Sequence, residues 1–72
     1  MNDSALLIEL GARIKKIRMS KEMTQTQLAH NCGFEKSSMS KIESGQVNPS
    51  YIILCRICKG LDIHICDLMP PV

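Results

Sequence analysis

The stretch 25–44, QTQLAHNCGFEKSSMSKIES, constrains the fold of this chain more than any other. Thr24 stands before it, and a threonine oxygen can take up a free amide in the first turn of a helix. Residues 25–31 then read as a short helix with Leu28 and Ala29 facing inward. Gly33 is best able to take a positive φ and stop that helix sharply, and Phe34 plugs the turn. Residues 35–44 read as a second helix. Its Met39 and Ile42 share one face at i and i+3, while Glu35, Lys36, Ser37, Ser38, Ser40 and Lys41 occupy the rest. Ala29 is small where the two helices should approach most closely. The chain must therefore hold two short helices about a glycine turn and pack everything else on their inner faces.

The flanks supply helices for that packing. Residues 1–4 form a lead-in with Asp3 or Ser4 as a cap, and a first helix runs over 5–21. Leu7, Leu10, Ile14 and Ile17 recur at +3, +4, +3, one stripe of an amphipathic helix, with Leu6 and Ile8 outside it. Met23 can fold back onto the core. Ser44-Gly45 ends the helix over 35–44, and Asn48-Pro49 forces an extended turn in the loop 46–49. Ser50 caps a fourth helix over 51–60. Tyr51, Leu54, Ile57, Cys58 and Leu61 have core spacing there, whereas Ile52, Ile53, Arg56 and Lys59 point elsewhere. A short fifth helix over 65–69 is stopped by Pro70-Pro71. The expectation is one all-α domain over 1–72 with five helices. A chain of 72 residues buries only about 60% of its unfolded surface, so the core must be efficient. No run of 18 apolar residues and no basic-then-apolar leader occurs, which makes a cytoplasmic protein without a membrane span the expectation.

Two short helices joined by a tight glycine turn make a helix-turn-helix unit, whose second helix lies in the DNA major groove. The segment 10–68 resembles the phage-repressor/Cro type of helix-turn-helix domain, often called the XRE family. The family's small residue falls on Ala29, its turn glycine on Gly33, and its buried aliphatics on Met39 and Ile42. LGARIKKIR before the unit, KIESGQVNPS after it and LDIHICDL at the end agree in register. The resemblance implies a compact, five-helix, lambda-repressor-like fold. It also implies a sequence-specific transcriptional regulator of double-stranded DNA, of the repressor kind, acting as a homodimer on a palindromic operator.

A net charge of +2 would not by itself point to nucleic acid. The distribution is more telling: Arg13, Lys15, Lys16, Arg18, Lys21, Lys36 and Lys41 precede residue 45, and the last 28 residues hold only Arg56 and Lys59. Lys36 and Ser37, in the first turn of the second helix of the unit, and Lys41, one turn later, are the candidates for base contact. Glu35 has two uses, accepting from a cytosine amino group or complementing the helix N-terminus, and the second is favoured. Gln25, Ser40, Ser44, Asn48 and Lys15 are the phosphate candidates. Gln25 starts a helix whose free amides point toward an anion, and the resembled family grips the backbone with this glutamine and with the loop after the recognition helix. Ser44 and Asn48 serve turn chemistry equally well. The family also pairs an arginine late in the first helix with the glutamate ending the recognition helix, here Arg18 and Glu43; phosphate is the competing use of Arg18.

Four cysteines and two histidines raise a metal site, but Cys55 and Cys58 fall inside a helix at i and i+3, and Cys32 precedes the turn glycine. Neither a metal nor a cofactor is expected, and four free thiols suit a reducing compartment. No carboxylate pair, nucleophile–base set or glycine-rich phosphate loop supports catalysis. Ile52, Ile53, Ile65 and Met69, with Val72 beyond, are apolar residues outside the core stripes, near the fifth helix where the resembled family dimerises. They are the expected dimer interface. An antitoxin-type module that binds a toxin partner and its own promoter is the alternative.

Overall fold

The computed structural model describes residues 2–69, arranged as four α-helices and one 3-10 turn: α1 (Asp3–Ser20), α2 (Gln25–Cys32), α3 (Lys36–Glu43), α4 (Tyr51–Leu61) and the turn Ile65–Leu68. The fifth helix expected over 65–69 is only that single turn. Four residues give an α-helix no complete ladder, so the segment tightens to i→i+3 bonding. The stop expected at Pro70-Pro71, and Val72, lie outside the described residues.

α1, α2 and α4 each start at a side-chain cap. The cap of α1 is Asn2, whose Oδ1 accepts the Ala5 N–H at 2.7 Å, rather than Asp3 or Ser4. Asn and Asp cap equally well; with Asn2 in the capping position, Asp3 becomes the first-turn acid that favours the helix N-terminus. Thr24 caps α2 reciprocally with Gln27: Thr24 Oγ1 accepts the Gln27 N–H at 3.1 Å and Gln27 Oε1 accepts the Thr24 N–H at 2.8 Å. Ser50 caps α4 by accepting the Ile53 N–H at 3.2 Å. His64 precedes the 3-10 turn, where the Asp67 carboxylate accepts the His64 N–H at 3.0 Å.

Ile14, Leu28, Met39, Ile57, Leu61 and Leu68 are fully buried and bring every element to one centre. α2 packs on α3 and α4, α1 packs on α3, and the 3-10 turn closes the gap between α1 and α4. Leu10, Ile17, Met23, Phe34 and Leu54 pack half-buried against this centre. Two positions on α4 depart from the spacing. Tyr51, expected inside, is 67% exposed because the first residue of the helix projects past the core. Ile53, expected outside, packs half-buried against the core one turn before Ile57. Among the described residues no helix is long and apolar enough to cross a membrane.

Candidate nucleic-acid interface

The turn between α2 and α3 has the geometry its glycine allows. Gly33 has φ +77° and closes α2, while the Phe34 N–H donates back to the Ala29 carbonyl at 2.8 Å. Ala29 is 2% exposed, as a close crossing of α2 and α3 demands. α3 follows with Met39, Ile42 and Glu43 inward. Lys36, Ser37, Ser38, Ser40 and Lys41 are all exposed, so one short helix displays both lysines and three hydroxyls on its outer side. Glu35 is the capping residue of α3 by position, yet its side chain makes no capping bond, which leaves its carboxylate to act on the helix N-terminus through charge alone.

A buried clamp sets where α3 lies. Arg18 Nε donates to Glu43 Oε2 at 2.7 Å and Arg18 Nη2 donates to Glu43 Oε1 at 3.1 Å, a two-pronged pair with both residues under a tenth exposed. Arg18 Nη1 donates to the Met23 carbonyl at 2.7 Å. All three guanidinium nitrogens of Arg18 are thus engaged within the protein, and burial keeps its two remaining N–H groups from phosphate. Gln25 Nε2 donates to Glu43 Oε1 at 3.0 Å. Sequence reasoning assigned Gln25 to phosphate alone and missed this bond; the amide nitrogen carries two N–H groups, so one remains for an outside acceptor.

The other phosphate candidates are distributed unevenly. Ser44 Oγ donates to the Lys41 carbonyl at 3.2 Å, so its hydroxyl hydrogen is spent at the end of α3, and turn chemistry is its observed use. Asn48 is exposed and lines, together with Ser38, Lys41, Phe34 and Ile53, an open cavity of about 420 Å³ beside α3. Ser40 is exposed on α3 itself, and Lys15 is exposed on α1. Arg13 is neutralised by Glu9 at 3.0 Å, so the basic residues left for phosphate before residue 45 are lysines.

The four apolar residues expected to form a dimer interface differ in how far the core covers them. Ile52 is 60% exposed on α4, whereas Ile53 and Ile65 are half-buried against the core. Met69 is exposed and lines a groove of about 150 Å³ with Leu6, Leu7, Leu10 and Leu68. Ile53 and Ile57 stand at i and i+4 on one row of α4, so the spacing itself carried the burial of Ile53 that the sequence reading passed over.

Among the described residues no group of three or more His, Cys, Asp or Glu side chains is placed to hold a metal ion. Cys32 and Cys58 are buried, and Cys32 Sγ donates to the Arg56 carbonyl at 3.4 Å. Desolvation, then the neighbouring thiols and, for Cys58, the Asp67 carboxylate, push both thiols above their ordinary value. They stay neutral at physiological pH and pack as small hydrophobes.

Residues 9–68 match the family described as Helix-turn-helix domain. The restriction-modification controller protein C.AhdI from Aeromonas hydrophila is 31% identical, with a TM-score of 0.89 over 90% of this chain and 98% of that one. Control protein C.MunI from Mycoplasma sp is 33% identical over 94% of this chain and 90% of its own length. The immunity repressor protein of Bacillus phage phi105 is 36% identical over 78% of this chain, which spans 39% of that longer protein. A glycine turn with its threonine cap, an outward polar helix and a buried Arg18–Glu43 clamp thus coincide with end-to-end likeness in fold, and the chain belongs to the helix-turn-helix domain family, of the phage-repressor/Cro type.

Proposed function

We propose that the protein is a DNA-binding transcriptional regulator that reads a specific double-stranded site in the major groove with α3. The observation that carries this reading is the outer side of α3, where Lys36, Ser37 and Lys41 stand exposed on a helix whose C-terminal end is clamped by Arg18 and Gln25. Lysine donates to guanine O6 and N7, and serine pairs with several bases. Gln25 through its remaining N–H, Ser40, Asn48 and Lys15 address phosphates, which add affinity without sequence preference. The reading needs no catalytic step and no cofactor, and it places the protein on genomic DNA in the cytoplasm.

A single recognition helix spans only a few base pairs, so the functional unit in this reading is a homodimer on a two-fold symmetric operator, as a repressor. Its half-sites lie about 34 Å apart, one turn of DNA. Likeness to C.AhdI along 98% of that chain favours one class of target, the genes of a restriction-modification system. Selection of bound sequences from a random duplex pool tests the reading: a palindromic motif of two short half-sites is expected, and recovery of no motif overturns it. Selected sites that map only to unrelated genes would remove the restriction-modification target while leaving DNA recognition intact.

A further inference from the structure

Gly11 lies in the middle of α1, an 18-residue helix in which alanine would be the better helix former. Its surroundings give the reason for glycine. A methyl built on Gly11 would meet the carbonyl oxygens of Ile42 and Glu43 and lie 2.7 Å from the Glu43 carbonyl carbon, closer than real contacts allow. These are main-chain atoms and cannot rotate aside. Three residues earlier the same face of α1 makes a second close approach: a methyl on Gly45 would lie 2.7 Å from Ile8 Cα. Ile8 and Gly11 therefore form a seat on which the C-terminal end of α3 rests backbone to backbone, and Arg18, two turns further along α1, grips Glu43 from the side.

We propose that Gly11 is a positioning residue for sequence readout: by letting α1 lie on the main chain of Ile42 and Glu43, it sets the angle at which α3 presents Lys36, Ser37 and Lys41 to DNA. α3 is eight residues, about 12 Å, and among the described residues its side-chain clamp is at the C-terminal end, since Glu35 makes no capping bond. Lifting that end by the width of a methyl group swings the opposite end, where Lys36 and Ser37 stand. Nothing in this requires Gly11 to touch DNA. The inference rests on the reading that α3 enters the major groove.

The test compares wild type, Gly11→Ala and Ala12→Gly, the last being an exposed neighbour whose change weakens α1 without reaching α3. Each protein is taken through sequence selection. The Kd for the wild-type site and for a scrambled duplex is then measured well below each variant's melting temperature. Gly11→Ala is expected to lower the ratio of specific to scrambled affinity about tenfold and to alter base preference at the positions read by Lys36 and Ser37, with scrambled binding unchanged. Ala12→Gly is expected to keep the wild-type ratio. A wild type that selects no motif overturns the DNA reading itself. A wild-type motif with an unchanged ratio in Gly11→Ala, or an equal loss in Ala12→Gly, overturns the role of Gly11. Should Gly11→Ala fail to fold, Ile8→Ala loosens the same seat without adding bulk, Ile8 being 57% exposed. Its motif must then be broader than wild type, and an unchanged motif overturns the proposal.

Discussion

Glu43 receives three hydrogen bonds from two side chains, Arg18 and Gln25, in a site almost closed to water. A buried pair of this kind contributes little net stability when intact, but removing one partner strands the other as a bare charge. Arg18→Met should therefore cost about 3–5 kcal/mol in urea unfolding, while the double variant Arg18→Met/Glu43→Leu should recover most of that loss. A single variant as stable as wild type would show that Glu43 is not confined as described. At the exposed end of the same helix the expected loss is of binding instead. Lys36→Ala or Ser37→Ala should cost about 1–3 kcal/mol on the preferred site and relax preference at one position per half-site, with melting unchanged. Binding titrations on single-base variants of the site check this, and an unaltered preference would remove both residues from base readout. The thiols carry a third prediction. Cys32 and Cys58 titrate above the ordinary 9.0 when folded, so the unfolded chain releases these protons first as pH rises. Their contribution is whole below that value and is lost as pH climbs through the native thiol range. Thermal melts across the alkaline range should show it, with a shallower decline for Cys32→Ala.

At the scale of elements, the helix-turn-helix unit is legible in the sequence because its determinants are local. Thr24 and Gln27 lie three residues apart, and Gly33 stands against a carbonyl three or four residues back. The tightening of residues 65–68 to a 3-10 turn is not legible in the same way, since it depends on how that segment closes against α1 and α4. The seat of α3 was the least accessible of all: Gly11 meets main chain more than thirty residues away, and its only sequence trace is a glycine inside a helical pattern. Gly33 separates conformation from space cleanly, because nothing lies within 4 Å of a side chain added there. Gly33→Val should then be destabilised by its positive φ alone and melt below Gly33→Asn, since asparagine tolerates that region. Equal melting temperatures for Gly33→Val and wild type would refute the turn. Ala29→Leu, by contrast, adds volume where α2 meets its neighbours and should cost about 1–3 kcal/mol.

For the whole molecule, the expected interface residues differ in how far they are committed to the core, and this decides which substitution tests self-association. Ile65 is packed on the core, so a charge there would disturb the fold as well as any interface. Ile52 is free of that complication. Ile52→Glu should leave melting unchanged while producing a monomer by analytical ultracentrifugation that has lost most operator affinity. A wild type that stays monomeric at high micromolar concentration, with and without DNA, would rule out the dimer.

The length of α3 has a consequence for control. Eight residues are too few to persist as a helix on their own in water, where even favourable sequences are marginal below about 12–15 residues. The reading surface therefore exists only while α1 and α2 hold it. A peptide copied from residues 35–44 should be inert. In the proposed reading, occupancy of DNA and integrity of the core become one transition seen by two probes. Any core substitution that lowers the melting point would then act as a temperature-sensitive lesion in gene control, however far it lies from the DNA.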